Sequence, residues 1–182
     1  MLWEQIHLVI VYFNDDDTVR FLLAQLIATN RYIDIKTTNT ITDSNWHHIV
    51  LTYSGGSGGV VRDRVEIYID GVQQTVSRSG NIVSSLSTLS SAPFNIGARD
   101  DQNVFMDGKI DEVAVFNSEL SQSDVTAIYN GGTPNDISAL NPLSWWRMGD
   151  NNGGTGTTIT DEGSGGNNGT MINGPTFETD VP

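Results

Sequence analysis

Short stretches of alternating apolar and polar residues recur along the chain and predict β-strands. Residues 6–13 (IHLVIVYF) form an apolar run that ends at an Asn-Asp turn, so they predict a buried strand. Residues 19–28 fit a helix or a strand, but the alternation of the following RYIDIKT favours two strands joined by a turn. Residues 46–53 (WHHIVLTY) are rich in aromatic and β-branched residues and predict a central strand.

The same pattern predicts a hairpin and three later strands. Residues 64–70 alternate, and the Asp-Gly pair at 70–71 is a strong hairpin signal because both turn residues need positive φ. Further strands are predicted at 94–97 (FNIG), 109–116 and 143–150 (LSWWRMGD).

One short helix is predicted near residues 121–130. Ser121 is suited to cap its N-terminus, and Asp124 lies near the positive end of the helix dipole. Two glycines and a proline follow at 131–134 and end the helix.

Length, composition and charge exclude several classes of protein. The 182 residues fit a single domain, 1–182, and the absence of cysteine excludes a disulfide framework. The net charge of −13, with only nine Lys and Arg residues, argues against nucleic acid as a partner. No apolar run is long enough to insert into a membrane, and no signal peptide is expected.

Three segments together resemble a known family. They are WHHIVLTY (46–53), the Tyr-Ile-Asp-Gly hairpin of VEIYIDGVQ (65–73), and the Gly-Lys-Ile-Asp-Glu-Val stretch at 108–113. Their order and spacing resemble the laminin G-like branch of the concanavalin A-like jelly rolls, over roughly residues 30–131. The resemblance implies an all-β fold, an antiparallel two-sheet β-sandwich with one short helix.

The C-terminal segment, 140–182, also resembles this family, but at the opposite end of the chain. Trp-Arg-Met at 146–148, the Gly/Asn-rich loop at 161–169 and Asn-Gly-Pro at 173–175 are similar to elements that open the family's domain. We therefore expect this segment to supply the family's opening strand and loop, either by circular permutation or by exchange with a neighbouring copy.

The resemblance implies one structural calcium ion where this loop meets the Ile-Asp-Glu strand. Its expected ligands are Asp111, Glu112, Asp161 and Asn168, since calcium prefers carboxylate and carbonyl oxygens. On a strand, Asp111 and Glu112 would point to opposite faces. The alternative is a surface carboxylate pair that hydrogen-bonds to loop backbone.

Catalytic motifs are missing from the sequence. Hydrolases of this superfamily carry two facing carboxylates in an E-x-D-x-x-E run, and none occurs here. His47 and His48 could act as a base or as ligands, but their position favours strand residues beside a core tryptophan. The sequence therefore predicts that the protein is not an enzyme.

Sugar binding would need an exposed aromatic face and polar side chains. Trp146 matches a core residue of the family, which leaves Trp145 and Arg147 on the opposite strand face as candidate ligand-binding residues, together with Tyr68. The alternative for Trp145 is packing under a loop or against a partner subunit.

These features predict a non-catalytic recognition module for a glycan or a host cell-surface ligand. The Trp-Trp-Arg-Met-Gly-Asp tail with its Gly/Asn loop resembles those of predicted virion proteins of marine bacteriophages. That resemblance implies a virion or extracellular location, with other virion proteins or copies of the chain as partners. The alternatives are a purely structural decoration or assembly protein and, less favoured, a degenerate glycoside hydrolase.

Overall fold

A computed structural model describes residues 8–13, 15–26, 31–55, 60–80, 93–99 and 104–182. Its strands are β1 (Leu8–Phe13), β2 (Val19–Leu26), β3 (Arg31–Thr37), β4 (Ile49–Tyr53), β5 (Val65–Ile69), β6 (Val72–Gln73), β7 (Val76–Ser79), β8 (Val113–Val115), β9 (Ser144–Trp146), β10 (Thr158–Ile159) and β11 (Gly169–Thr170). The described helix is α1 (Gln122–Tyr129), and short 3₁₀ turns lie at Val61–Arg64, Asn130–Gly132 and Ser138–Leu140.

The strands form antiparallel sheets, as the alternation predicts. The larger sheet has the order β1-β2-β3-β7, and a second has the order β4-β5-β6. Residues 19–26 and 31–37 pair as two strands, so the preference for strands over a helix is confirmed. The small pairs β8-β9 and β10-β11 complete the described strands.

The hydrophobic core lies between the two larger sheets. Its buried side chains come from β2, β3, the first 3₁₀ turn and β5: Val19, Phe21, Ile33, Ile35, Val61, Val65, Ile67 and Ile69. Alternate positions of each strand face this core because successive side chains point to opposite faces. The chain is therefore an all-β sandwich, and the predicted fold class is confirmed.

Arg78 joins the two sheets at one edge. From β7 it donates to both carboxylate oxygens of Glu66 on β5 at 2.9 Å, and to the backbone carbonyl oxygen of Val65 at 2.7 Å. A two-pronged guanidinium–carboxylate pair fixes orientation as well as distance. The pair thus sets how the ends of the two sheets meet.

Two local signals in the sequence are confirmed by the backbone. Asp70 and Gly71 have φ values of 51° and 77° and form the turn between β5 and β6. Ser121 caps α1 in a capping box, in which its hydroxyl accepts from the Asp124 amide and the Asp124 carboxylate accepts from the Ser121 amide. Asn130 ends the helix in the left-handed conformation.

Several predicted strands are shorter than expected. Residues 46–48 precede β4, and among the described strands β4 lies at the edge of its sheet rather than at the centre. The strand predicted at 94–97 is wrong, because this region holds only a single bridge between Ala98 and Phe105.

The strands predicted at 109–116 and 143–150 keep only three residues each. Glu112 and Met148 have φ values of 50° and 45°, which extended backbone cannot include. Among the described residues, no helix is long and apolar enough to cross a membrane.

Candidate functional site at the tail junction

The C-terminal segment packs onto the rest of the chain through strand pairing. In β9, Ser144, Trp145 and Trp146 pair antiparallel with Val115, Ala114 and Val113 of β8. All three β9 residues are buried, so both faces of this strand are covered. We call the region formed by β8, β9, residues 111–112 and the 161–169 loop the tail junction.

Asp161 organises the Gly-rich loop of the tail junction. Its Oδ1 accepts the backbone N–H groups of Trp145 at 2.7 Å and Gly163 at 2.8 Å, and its Oδ2 accepts that of Asn167 at 2.7 Å. Burial alone would raise the pKa of Asp161, but these hydrogen bonds outweigh it and hold the pKa below its ordinary value. The carboxylate thus serves as a charged hub for the loop backbone.

Asn168 and Asn167 extend this network. The Oδ1 atom of Asn168 accepts the backbone N–H of Asp161 at 2.9 Å, and the Nδ2 of Asn167 donates to the Ser144 hydroxyl at 2.9 Å. The carbonyl oxygen of Asn167 accepts the indole N–H of Trp146 at 2.8 Å. These hydrogen bonds attach the 161–169 loop to β9.

Trp145 is buried, with 6% of its surface exposed, so the expectation that it is an exposed stacking face is wrong. Its indole N–H donates to Oε2 of Glu112, and the guanidinium of Arg147 lies 5.1 Å from its ring centroid. Arg147 also donates to Oε1 of Glu112 at 3.0 Å and to Asp150 at 3.1 Å. The stacking surface of Trp145 is thus covered by its own chain, as the packing alternative predicts.

The other two predicted ligand-binding residues, Tyr68 and Arg147, lie in different parts of the fold and differ in exposure. Tyr68 lies in β5 and is buried, with 7% exposed, so it presents no free ring face. The Arg147 side chain keeps about a third of its surface exposed. Arg147 is therefore the one predicted ligand-binding residue that solvent reaches readily, and its position depends on Glu112.

Asp111 and Glu112 do not lie on a strand, so the prediction that they point to opposite strand faces is wrong. The Asp111 Oδ1 accepts the backbone N–H of Glu112 at 2.9 Å, while its Oδ2 is buried and has no hydrogen-bond partner among the described residues. Burial, partly offset by that N–H bond and reinforced by the Glu112 charge, raises the pKa of Asp111 to about 6. One uncompensated carboxylate oxygen thus lies at the tail junction.

The four predicted calcium ligands do not fit a shared ion as they are placed. The oxygens of Glu112 bind Trp145 and Arg147, those of Asp161 bind backbone N–H groups, and the Asn168 oxygen binds the Asp161 amide. Calcium needs six to eight oxygen ligands. Within the described residues, no group of three or more His, Cys, Asp or Glu side chains is arranged to hold a metal ion. Calcium binding stays a prediction.

An aromatic pair at the tail junction was not predicted. Phe94 is 65% exposed and stacks on the buried Trp146, with ring centroids 5.5 Å apart and an interplanar angle of 19°. Trp146 is buried as the sequence predicts, and Phe94 covers one of its faces. The sequence signal for Phe94 was weak, because an aromatic residue between a proline and a polar residue could equally begin a buried strand.

Comparison with known proteins defines the class. The described residues form antiparallel β-sheets packed as a sandwich, with no long helix among them. Residues 5–126, about two thirds of the 182 residues, match the family described as the concanavalin A-like lectin/glucanases superfamily, of the laminin G type, and the chain belongs to that family. No curated protein and no solved structure matches the chain.

Proposed function

We propose that this protein is a non-catalytic recognition module that binds a glycan or another cell-surface ligand through the exposed face of Phe94. Membership of a lectin-containing superfamily supports recognition as the class of function, although a fold alone does not define a function. The observation that carries the proposal is the ring of Phe94, 65% exposed and held in place by Trp146 beneath it.

The physical argument concerns preorganisation. A free phenylalanine side chain loses rotamer freedom when it binds, whereas a ring already stacked on a neighbour loses less. Aromatic faces offer an apolar surface on which the C–H face of a sugar ring can lie. The indole beneath Phe94 is itself fixed by its hydrogen bond to the Asn167 carbonyl, so the loop positions the surface.

Glu112 supports the non-catalytic part of the proposal. A glycosidase acid or base must be free to exchange a proton with substrate. Both Glu112 oxygens instead accept hydrogen bonds from Trp145 and Arg147, and the side chain is only 16% exposed. These contacts suit a structural carboxylate.

The experiment is a glycan array followed by titration calorimetry of any ligand found. Phe94→Ala should weaken binding at least tenfold, about 1.4 kcal/mol, while Phe94→Tyr should keep most of the affinity. Phe13→Ala removes a ring that is 48% exposed on β1 and should leave affinity unchanged. If Phe94→Ala bound as tightly as the wild-type protein, the binding site would have to lie elsewhere on the surface. If no glycan bound at all, the proposed function would be contradicted.

A structural role in assembly is the second candidate. Val104, Phe105 and Met106 form consecutive apolar side chains that are 51%, 55% and 44% exposed. Apolar surface of this kind is typical of protein contacts, here with copies of the chain or with other proteins of an appendage. Placement on a phage virion rests on the resemblance of the tail alone. Light scattering across a concentration series tests the role in assembly: Phe105→Ser should abolish any oligomer.

A further inference from the structure

The imidazole ring of His47 lies between two carboxylates. Its Nδ1 is 2.8 Å from Oδ2 of Asp70, and its Nε2 is 2.9 Å from Oδ1 of Asp43. The His47 side chain is 16% exposed, against 31% for Asp70 and 53% for Asp43. Neither aspartate is adjacent to His47 in the chain, so the ring connects separate segments.

The geometry determines the proton count of the ring. A neutral imidazole has one N–H donor and one acceptor nitrogen, whereas an ionised carboxylate only accepts. Two carboxylate oxygens at hydrogen-bond distance therefore require both nitrogens of His47 to donate. The geometry therefore suits an imidazolium that bridges two negative charges.

The ionisable groups that face the ring are those two aspartates, one from the turn before β4 and one from the β5–β6 turn. Burial opposes the charge, but the hydrogen bonds to Asp43 and Asp70 outweigh it and raise the pKa of His47 above its ordinary value. The adjacent His48 differs: burial lowers its pKa, and its ring stacks on Tyr129 of α1 with centroids 6.1 Å apart. The pKa values of the two neighbouring histidines are thus shifted in opposite directions, up for His47 and down for His48.

Asp70 extends the connection towards α1. Its Oδ1 accepts the backbone N–H of His48 at 2.9 Å, and the next residue, Gly71, accepts the side-chain N–H of Gln122 at 2.8 Å. A Cβ at Gly71 would lie 3.1 Å from the Tyr129 ring, so helix and turn are in close contact. The His47 bridge therefore lies where β4, the hairpin and α1 meet.

We propose that His47 is a proton-dependent clasp, which fixes the segment 43–47 to the β5–β6 hairpin and releases it when the ring loses a proton. The clasp is closed where the imidazolium and both carboxylates are ionised. The His47 pKa is raised, so its stabilisation is fully present below about pH 6.5, the ordinary histidine value, and is lost as pH rises through the higher pKa of the folded state. On the acid side, the clasp opens as Asp43 protonates, below its ordinary pKa because the Asn45 amide and the His47 ring hydrogen-bond to it and lower that pKa.

Nitrogen-detected NMR of the histidine rings tests the proton count directly. At pH 6.5, His47 should show two protonated nitrogens, and its titration midpoint should lie above 6.5. Asp43→Asn keeps an oxygen that can accept the Asn45 amide but removes the charge, so it should lower that midpoint. Asp63→Asn removes an exposed carboxylate elsewhere and should leave it unchanged.

Thermal unfolding tests the release. The melting temperature of the wild-type protein should fall between pH 6 and pH 9, and His47→Gln should remove most of that fall, whereas the control Asp63→Asn, at an exposed carboxylate elsewhere, should not. A neutral His47 ring at pH 6.5, or a midpoint unmoved by Asp43→Asn, would overturn the bridge. Identical pH dependence of the wild-type and His47→Gln proteins would overturn the release.

Discussion

In the two-sheet core, Ile33, Ile35 and Ile67 are each at most 1% exposed, and their contacts are apolar. At the tail junction, the central buried group is instead the carboxylate of Asp161, which accepts three backbone N–H groups. The first region is held by removal of apolar surface from water, the second by charge-assisted hydrogen bonds. The chain thus combines a core held by apolar contacts with a junction held by the charge of Asp161.

The difference follows from composition. β2, β3 and β5 carry enough branched aliphatic side chains to fill the space between two sheets. The 161–169 loop has few apolar side chains, so its backbone N–H groups need acceptors when they pack against β9. Asp161 supplies two oxygens at the position where the strand and the loop meet.

The largest effect is expected in the core. Ile35→Ala removes a side chain with 0% exposure and should lower the free energy of unfolding by about 2–5 kcal/mol, because it leaves a cavity. Ile172→Ala makes the same chemical change at a position that is 60% exposed and should cost less than about 0.5 kcal/mol. Denaturant unfolding of both variants measures the contrast. Similar losses of stability in the two variants would show that Ile35 does not lie in a packed core.

At the tail junction, Asp161→Ala leaves three backbone N–H groups without their acceptor and should cost about 2–4 kcal/mol at pH 7. Because the pKa of Asp161 is lowered, its stabilisation is present above about pH 4 and is lost as pH falls further, so the variant should approach the wild-type protein in acid. Asp136→Ala removes an exposed carboxylate that accepts the backbone N–H of Ser138 and should change stability far less than Asp161→Ala does. If the difference in stability between Asp161→Ala and the wild-type protein did not change with pH, the ionised Asp161 carboxylate would not be what holds the loop.

These two regions also differ in how far the sequence predicts them. Alternation and turn chemistry are local properties, so β1, β2, β3, β5, the hairpin turn and the capped helix follow from short windows of sequence. The short β8 and β9 do not, because each lies close in the chain to a residue with positive φ, Glu112 and Met148 respectively, that its residue type does not predict. Asp and Gly at a hairpin turn signal such a conformation, whereas Glu and Met do not.

The same limit explains why the sequence wrongly predicted an exposed face for Trp145. Alternation shows that Trp145 and Trp146 point to opposite faces of β9, but not what covers each face. Arg147 and Glu112 cover Trp145, and Phe94, 52 positions before Trp146 in the sequence, covers the other ring. Contacts between residues so far apart arise from topology, which a single sequence reveals only through its likeness to a family.

A smaller effect of opposite sign is expected at Asp111. Its pKa is raised to about 6, so the ionised side chain destabilises the folded protein increasingly as pH rises from about 4 to 6 and fully above that. Asp111→Asn, which keeps an oxygen for the Glu112 amide, should stabilise the protein by about 1 kcal/mol at pH 8 and by nothing at pH 4, since water screens part of the half-buried charge. Asp107→Asn is the exposed control. Destabilisation at pH 8 would show that Asp111 has a partner in solution.

The smallest effect is expected from calcium, and it tests the tail junction most directly. An ion that binds only the folded state raises stability by mass action, by about 2.7 kcal/mol at a hundredfold excess over its dissociation constant. To bind between Asp111 and the 161–169 loop, calcium would have to displace the Arg147–Glu112 ion pair or the N–H groups on Asp161. As these side chains are placed, they predict the same melting temperature in chelator and in millimolar calcium. A rise with calcium that Asp111→Asn abolishes would instead support the ion predicted from the sequence, and would mean that the junction rearranges around it.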